Sequence, residues 1–372
     1  MIQTNCKEID YLLTLLRSAL TEQPLPPCEE VDYDRLLALA AKQQVYTMLL
    51  PTLVKSGVLS EKQQREWNNY RLSELQKMLT VDAERKAICA ELDKLNIAYM
   101  FLKGLEIREY YPLVAMRQMS DNDILYDASR RDDLVKVMKK HGYYIGASGG
   151  ISDDFYKKPF CTFEFHRTLF NPKEPFCPDF DPWQHAEPFG DGSARMVISR
   201  EDNYLYALGH MYKHYACVDG CGIRFVCDLY LLSHSKDTLD WDYIESELER
   251  FGIREFHRTV QTLAAAVFED GELTDEAKAL LDFMFEGGVF GNHIVDMTGE
   301  LEKYGSKAGY LLHRLFPSSE DMHAEYRTLN DKPYLLWFYY AYRLIDKYRH
   351  NRKYMQRDLN ALKNTKKKHE DK

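Results

Sequence analysis

Apolar residues recur at helical spacing early in the chain, at Ile9, Leu12, Leu13, Leu16 and Leu20 and again at Leu36, Leu37, Leu39 and Ala40, which predicts two amphipathic helices. The proline-rich segment from Pro24 to Pro27 separates them. From Ser60, an N-capping residue, a polar-rich pattern runs without Gly or Pro to about Leu95 and predicts one long bracing helix. The texture then changes. Ile97 to Leu102 and Asp123 to Tyr126 are short apolar runs of strand type, with one or two helical turns between Leu105 and Tyr111, closed by Pro112. Ser129 to His141 carries acids in its first turn and lysines in its last, ahead of Gly142, and reads as a helix. Tyr143 to Ala147 and Phe160 to Leu169 read as strands; in the second, Thr162, Glu164 and His166 alternate with Phe163 and Phe165. Residues 171–192, rich in Pro, Asp and Gly, predict a long loop. Helical patterns resume over Glu201–Val218, Ile223–His234, Trp241–Phe251, Glu255–Phe268 and Thr274–Phe285, and an aromatic-rich helix is expected from Pro333 to about Leu362, before a basic tail. The predicted class is therefore α+β: a helical region over 1–95, a small mixed α/β core over 96–198 and a second helical region over 199–372.

At 372 residues the chain can bury a substantial core in two or three subdomains. A net charge of -9 argues against broad nucleic-acid binding, although a local basic cleft remains compatible with it. There is no run of about 18 apolar residues, and the opening MIQTNCKEIDYLL has acids where a signal peptide would be basic and then apolar, so no membrane partner and a cytoplasmic location are expected. The eight cysteines, at 6, 28, 89, 161, 177, 217, 221 and 227, are spread widely and fit reduced thiols better than a disulfide framework.

The chemistry concentrates between Phe101 and Asp127. Asp121 and Asp123 stand two residues apart at the mouth of a strand, so both point one way with Asn122 opposite. Two carboxylates on one face repel unless a cation lies between them, and Mg²⁺, which takes one or two carboxylates together with waters and phosphates, suits the pair. Alone, such a pair is also what a solvated loop before a strand would contain. Its company strengthens it: Lys103-Gly104 after the preceding strand, Arg117 and Ser120 just before the acids, and Glu164, an acid between two phenylalanines on a half-buried strand. Arg117 and Lys103 could bind phosphate oxygens; Arg117 could equally pair with Asp121 or Glu106. His166 shares the face of Glu164 and could bond a carboxylate, face an acceptor or be packed structurally. His210, His214, Cys217, Cys221 and Cys227 invite a zinc reading, but the spacing lacks a Cys-x2-Cys pair and the segment reads better as a helix burying Leu205, Leu208 and Met211.

With those residues in view, the region 97–170 resembles the DNA polymerase β-like nucleotidyltransferase superfamily. More narrowly it resembles an uncharacterised bacterial nucleotidyltransferase family with the ordered elements Leu102-Lys103-Gly104, Tyr111-Pro112, Arg117, Asp121-Asn122-Asp123-Ile124 and Glu164-Phe165-His166. The superfamily at large places Gly-Ser before its acids, whereas this chain has Lys-Gly and a longer spacer, Leu105 to Ser120. The resemblance implies transfer of a nucleoside monophosphate from an NTP to a protein or small-molecule acceptor, with release of pyrophosphate. Asp121 and Asp123 would hold one or two Mg²⁺ ions, and Glu164 would complete the metal site or take the acceptor's proton. Lys103, Gly104, Arg117 and Ser120 would contact the nucleotide. His166, together with His210, His214, Arg224 and Asp228 from a following His-bearing helix and Arg-x3-Asp pair, would face the acceptor or support the site. The alternative is a catalytically silent nucleotide-binding or helical scaffold protein.

Overall fold

The computed structural model describes residues 4, 6–21, 23–24, 30–119, 121–148, 150–170, 180–216, 220–235 and 238–289, and further on 316, 319, 322, 329 and 332–342. Ser120, residues 171–179, Cys28, Cys177, Cys217 and the basic tail lie outside them. Four helices come first: α1 (Lys7–Thr21), α2 (Tyr33–Lys42), α3 (Tyr46–Ser56) and α4 (Glu61–Lys94). The long α4 begins at a capping box in which Ser60 and Gln63 each bond the other's backbone N–H through their side chains, satisfying donors that a helix start otherwise leaves free. The sequence pattern did not separate α3, which has Pro51 inside it.

Seven strands follow: β1 (Tyr99–Phe101), β2 (Asn122–Tyr126), β3 (Tyr144–Ser148), β4 (Ser152–Lys157), β5 (Cys161–His166), β6 (Glu187–Pro188) and β7 (Arg195–Val197). They form one mixed sheet in the order β3-β4-β5-β2-β1-β7-β6. β2 is parallel to β5 and antiparallel to β1, and β1 is parallel to β7. The short α5 (Gly104–Ile107) follows β1, and α6 (Arg131–Lys140) follows β2. β4 lies where no strand was expected, and the described part of the expected loop holds a 3-10 turn at Pro182–His185 and β6. Then come α7 (Arg200–Ala216), α8 (Arg224–Ser233), α9 (Trp241–Phe251), α10 (Arg254–Phe268) and α11 (Asp275–Gly287), within a residue or two of the expected spans. Of the expected aromatic helix, Pro333–Leu335 is a 3-10 turn and 336–342 are helical; the rest falls outside the described residues.

The sheet separates two apolar cores. On one face Ile124 and Tyr126 of β2 and Phe163 and Phe165 of β5 bury against Ile88 and Leu92 of α4 and Leu134 and Met138 of α6. On the other, Met100, Leu102 and Leu125 join the larger core that includes Tyr206 and Met211 of α7 and Val226 and Leu229 of α8. Strand alternation therefore turns Asp123, two residues before Leu125, toward the second face, the one covered by α7 and α8. Among the described residues no helix is long and apolar enough to cross a membrane, and Cys6, Cys89, Cys161, Cys221 and Cys227 are free.

Candidate active site

After β1 the chain turns sharply. Lys103 has φ 45° and ψ -120°, in a region that residues with side chains seldom occupy and that is held only where surrounding structure enforces it. Here the Leu102 N–H donates to the Asp123 carbonyl at 3.1 Å, and the Ile107 N–H donates to the Lys103 carbonyl at 2.8 Å. The turn carries the Lys103 side chain back over the sheet, where its Nζ donates to Asp123 Oδ1 at 2.8 Å and lies 5.7 Å from the Tyr206 ring centroid. Gly104 is required by a close approach: a Cβ there would collide with Nη1 of Arg117 and come within 2.9 Å of the Met119 sulfur.

The acids are aligned by strand register. Asp123 on β2 is the partner of Glu164 on β5, and Glu164 is the partner of Asp154 on β4. With neighbouring strands about 4.8 Å apart, the three carboxylates form a row across the sheet. His166 Nε2 lies 2.9 Å from Asp123 Oδ1 and 3.7 Å from Glu164 Oε2. Asp123, Glu164 and His166 each offer a ligand atom within 4.8 Å of the others. Asp121 precedes β2 on the same side and also lines a cavity of about 110 Å³ with Arg117, Met119, Lys77 and Met78.

The electrostatics are those of a row of acids short of cations. Burial pushes Glu164 up, Asp123 and Asp121 push it further, and Lys103 only partly offsets them, so its carboxyl stands at about 8. Burial and Asp123 likewise raise Asp121. Burial raises Asp154, whose Oδ1 accepts from Ser152 Oγ at 2.9 Å. For Asp123, burial is outweighed by Lys103 and His166, and its carboxyl falls well below the usual range. Lys103 shows the converse, burial being overcome by Asp123, Tyr206, Asp121 and Glu164 to hold the ammonium charged.

Mg²⁺ prefers hard oxygen donors in a near-octahedral shell. The oxygens of Asp123 and Glu164, with Asp121 on the same side, fit that preference; His166 Nε2, hydrogen-bonded to Asp123, suits the role of orienting a ligand. In the present arrangement the Lys103 ammonium supplies the nearest positive charge to Asp123.

The remaining expected residues divide. Arg117 is buried and bonds Asp228 in a fork, Nε to Oδ1 at 2.8 Å and Nη2 to Oδ2 at 2.7 Å, while Tyr111 Oη donates to Asp228 Oδ1 at 2.7 Å. The pair ties the loop before β2 to α8. Arg224 donates through Nη1 to the Gln118 carbonyl at 2.9 Å and to Gln44 Oε1. His210 and His214, one turn apart on α7, bring their Nε2 atoms to 3.1 Å. Burial and the charge of Lys103 pull both downward, His214 to about 4, so both rings are neutral. They do not join the Asp123 cluster, and among the described residues no group of three metal-ligating side chains includes them.

Two contributors escaped the sequence reading. Asp154 follows another acid in SDDFYK, a segment without the apolar run that marks a buried strand, and only its pairing with β5 puts it opposite Glu164. Tyr206 is not singled out beside the expected core positions Leu205 and Leu208 of α7, and only helix docking sets its ring near Lys103.

A mixed sheet bearing Asp-x-Asp on one strand and a register-matched acid on the parallel neighbour gathers oxygen donors suited to a divalent ion and phosphate oxygens. The chain belongs to the uncharacterised nucleotidyltransferase family, whose model matches residues 29–269, and it is a nucleotidyltransferase. No curated protein matches the sequence. Solved structures similar to it include the antibiotic-resistance factor ANT(2'')-Ia in solution, at 15% identity over 49% of this chain and 97% of that one, with a TM-score of 0.34. ANT(2'')-Ia in complex with adenylyl-2''-tobramycin is similar at 16% identity, 46% and 97% coverage and a TM-score of 0.33. The lincosamide antibiotic adenylyltransferase LnuA, lincomycin-bound, is similar at 15%, 44% and 96%, and 0.26. Likenesses this distant carry no argument about the substrate of this chain.

Proposed function

We propose that the protein transfers a nucleoside monophosphate from an Mg-NTP to a hydroxyl of a protein or small-molecule acceptor, releasing pyrophosphate. The observation that supports this most is the register match of Asp123 with Glu164 on parallel neighbouring strands, beside Asp121 and on the face covered by α7. Asp121, Asp123 and Glu164 would hold the divalent ion, which supplies charge neutralisation at the α-phosphate and at the leaving oxygens. His166 keeps Asp123 oriented. In the reaction the acceptor oxygen bonds the α-phosphorus, the bond to the α,β-bridging oxygen breaks, and pyrophosphate departs with that electron pair. Glu164 would complete the metal site or, ionised by the ion's charge, take the acceptor's proton. The Lys103-Gly104 turn would present backbone N–H groups and the Lys103 charge to the phosphates, with Gly104 letting Arg117 pack close behind it. His210 and His214 are the side chains of α7 best suited to line the acceptor's route. The absence of a nucleic-acid partner belongs to the same reading, on the acidic overall charge.

The test is transfer from α-phosphate-labelled ATP, CTP, GTP and UTP to proteins and metabolites, with pyrophosphate release measured in parallel. Asp121→Asn and Asp123→Asn, which remove charge and keep shape, should each abolish Mg-dependent transfer while leaving the fold intact. Wild-type turnover in either variant would overturn the metal assignment.

A further inference from the structure

Three cations act on the Asp121 carboxyl: Lys103, Arg224 and Arg117. Two of them are spoken for. Lys103 bonds Asp123, and Arg117 bonds Asp228, whose oxygens also take the Tyr111 hydroxyl. Arg224 differs. Its Nη1 donates to two uncharged oxygens, the Gln118 carbonyl and Gln44 Oε1, while its buried Nε has no hydrogen-bond partner among the described residues. Asp228 is four residues on along the same helix, the usual spacing for an intrahelical ion pair, yet its oxygens face Arg117 instead.

Position makes this odder. Arg224 is the first residue of the ten-residue helix α8, at its positive end, where a cation is disfavoured and an anion is welcome. A half-buried guanidinium that forms no ion pair among the described residues is costly, and burial together with Arg117 pulls its pKa down against the opposing pull of Asp228, Tyr111 and Asp121. A purely structural role explains the Gln118 contact, which a neutral amide could make equally well. It does not explain a charge. The Nε edge left unspent is part of the fork with which arginine binds phosphate oxygens in pairs.

We propose that Arg224 is the polyphosphate-binding cation of this site, taking the β- and γ-phosphates of the NTP and then the pyrophosphate product. Arg117 is a positioning residue that fixes the loop before Asp121 through Asp228. This inference rests on the nucleotidyl-transfer reading, from which it takes the presence of an NTP beside Asp121. It moves Arg224 from the acceptor side to the phosphate side and assigns the outer phosphates to Arg224 rather than Arg117.

The experiment is calorimetry of the full chain with Mg²⁺ and three probes: a non-hydrolysable NTP, the matching NMP, and pyrophosphate, each on wild type, Arg224→Gln, Arg224→Lys and Asp123→Asn. Circular dichroism establishes that each variant is folded. The expected result for Arg224→Gln is a loss of about 10- to 100-fold for the NTP and for pyrophosphate, the scale of one charge-assisted contact, with the NMP changed less than about twofold. Arg224→Lys, which keeps the charge and loses the fork, should recover part of the NTP loss. Equal losses for NTP and NMP, or none, in a protein whose Asp123→Asn variant loses Mg-dependent NTP binding, would overturn the role of Arg224 and leave the transferase reading standing. Wild type that binds neither Mg-NTP nor pyrophosphate would overturn both. If Arg224→Gln does not fold, the Lys variant decides alone: a partial loss for the NTP and pyrophosphate with the NMP unchanged supports the assignment, and unchanged NTP affinity or an equal loss for the NMP refutes it.

Discussion

Replacing Asp228 with Asn tests how the helical region holds the acids. The Arg117 and Asp228 side chains are 7% and 3% exposed, and the pair is bonded at both guanidinium edges, with Tyr111 as a third donor. Asn keeps the shape, but it leaves the Arg117 charge uncompensated in a buried site and offers one acceptor oxygen where Asp228 offers two. Breaking a buried pair from one side in this way costs about 3–5 kcal/mol, far more than the pair contributes over an apolar substitute. The double variant Arg117→Met with Asp228→Leu removes both charges and should therefore lose clearly less than either single charge deletion. The assay is urea unfolding followed by far-ultraviolet circular dichroism, with the shift in midpoint converted at constant slope. Lys7→Gln, which breaks the exposed pair with Glu30, is the control and should not move the midpoint measurably. A loss below about 1 kcal/mol in Asp228→Asn, or a double variant that loses the sum of the two singles, would refute the account of a desolvated, mutually dependent pair.

Other outcomes follow from the same geometry. Glu164, at about 8 in the fold against an ordinary 4.5, holds its proton more tightly folded than unfolded, so its contribution to stability, read as the difference between wild type and Glu164→Gln, should fall as pH rises from about 4.5 to about 8 without metal. Mg²⁺ must displace that proton, so its affinity, measured by calorimetry, should climb over the same window and level off above about 8. A pH profile of stability that runs parallel in wild type and Glu164→Gln, or an Mg²⁺ affinity in that variant that still climbs over this window, would assign the effect to another group. Gly104→Ala places a methyl group against Arg117 Nη1 and Met119 and should lower thermal stability and NTP affinity together; an unaltered variant would mean that the turn relaxes freely. Lys103→Met removes the ammonium beside Asp123, so the apoprotein should melt earlier and Mg²⁺ should raise its melting temperature more than it does for wild type, whereas an equal rise in both would separate Lys103 from the metal site.

Much of this protein is written locally. The spacing of Leu12, Leu13 and Leu16, the Ser60 cap, the lysines and Gly142 after α6, and the alternation of Phe163 and Phe165 around Glu164 each depend on neighbours within a turn or a few strand positions. That Asp121 and Asp123 share a face, and that Glu164 and His166 share one, follows from the two-residue period of a strand with no knowledge of its partners. What the period cannot say is which strand lies alongside. Pairing register is decided by the burial of Ile124, Phe155, Phe163 and Phe165 between α4 and α6, and that packing alone sets Asp123 against Glu164 and Glu164 against Asp154. The pairing of Arg117 with Asp228, the ring of Tyr206 beneath Lys103, and the hold of Arg224 on Gln44 and Gln118 join segments far apart in the chain, because helices α7 and α8 dock through apolar side chains that carry no information about those charges. The sequence alone determined the elements and the chemistry on each face; the assembly of those faces into one site was decided by the tertiary structure, since register and docking depend on the total burial of many distant side chains at once.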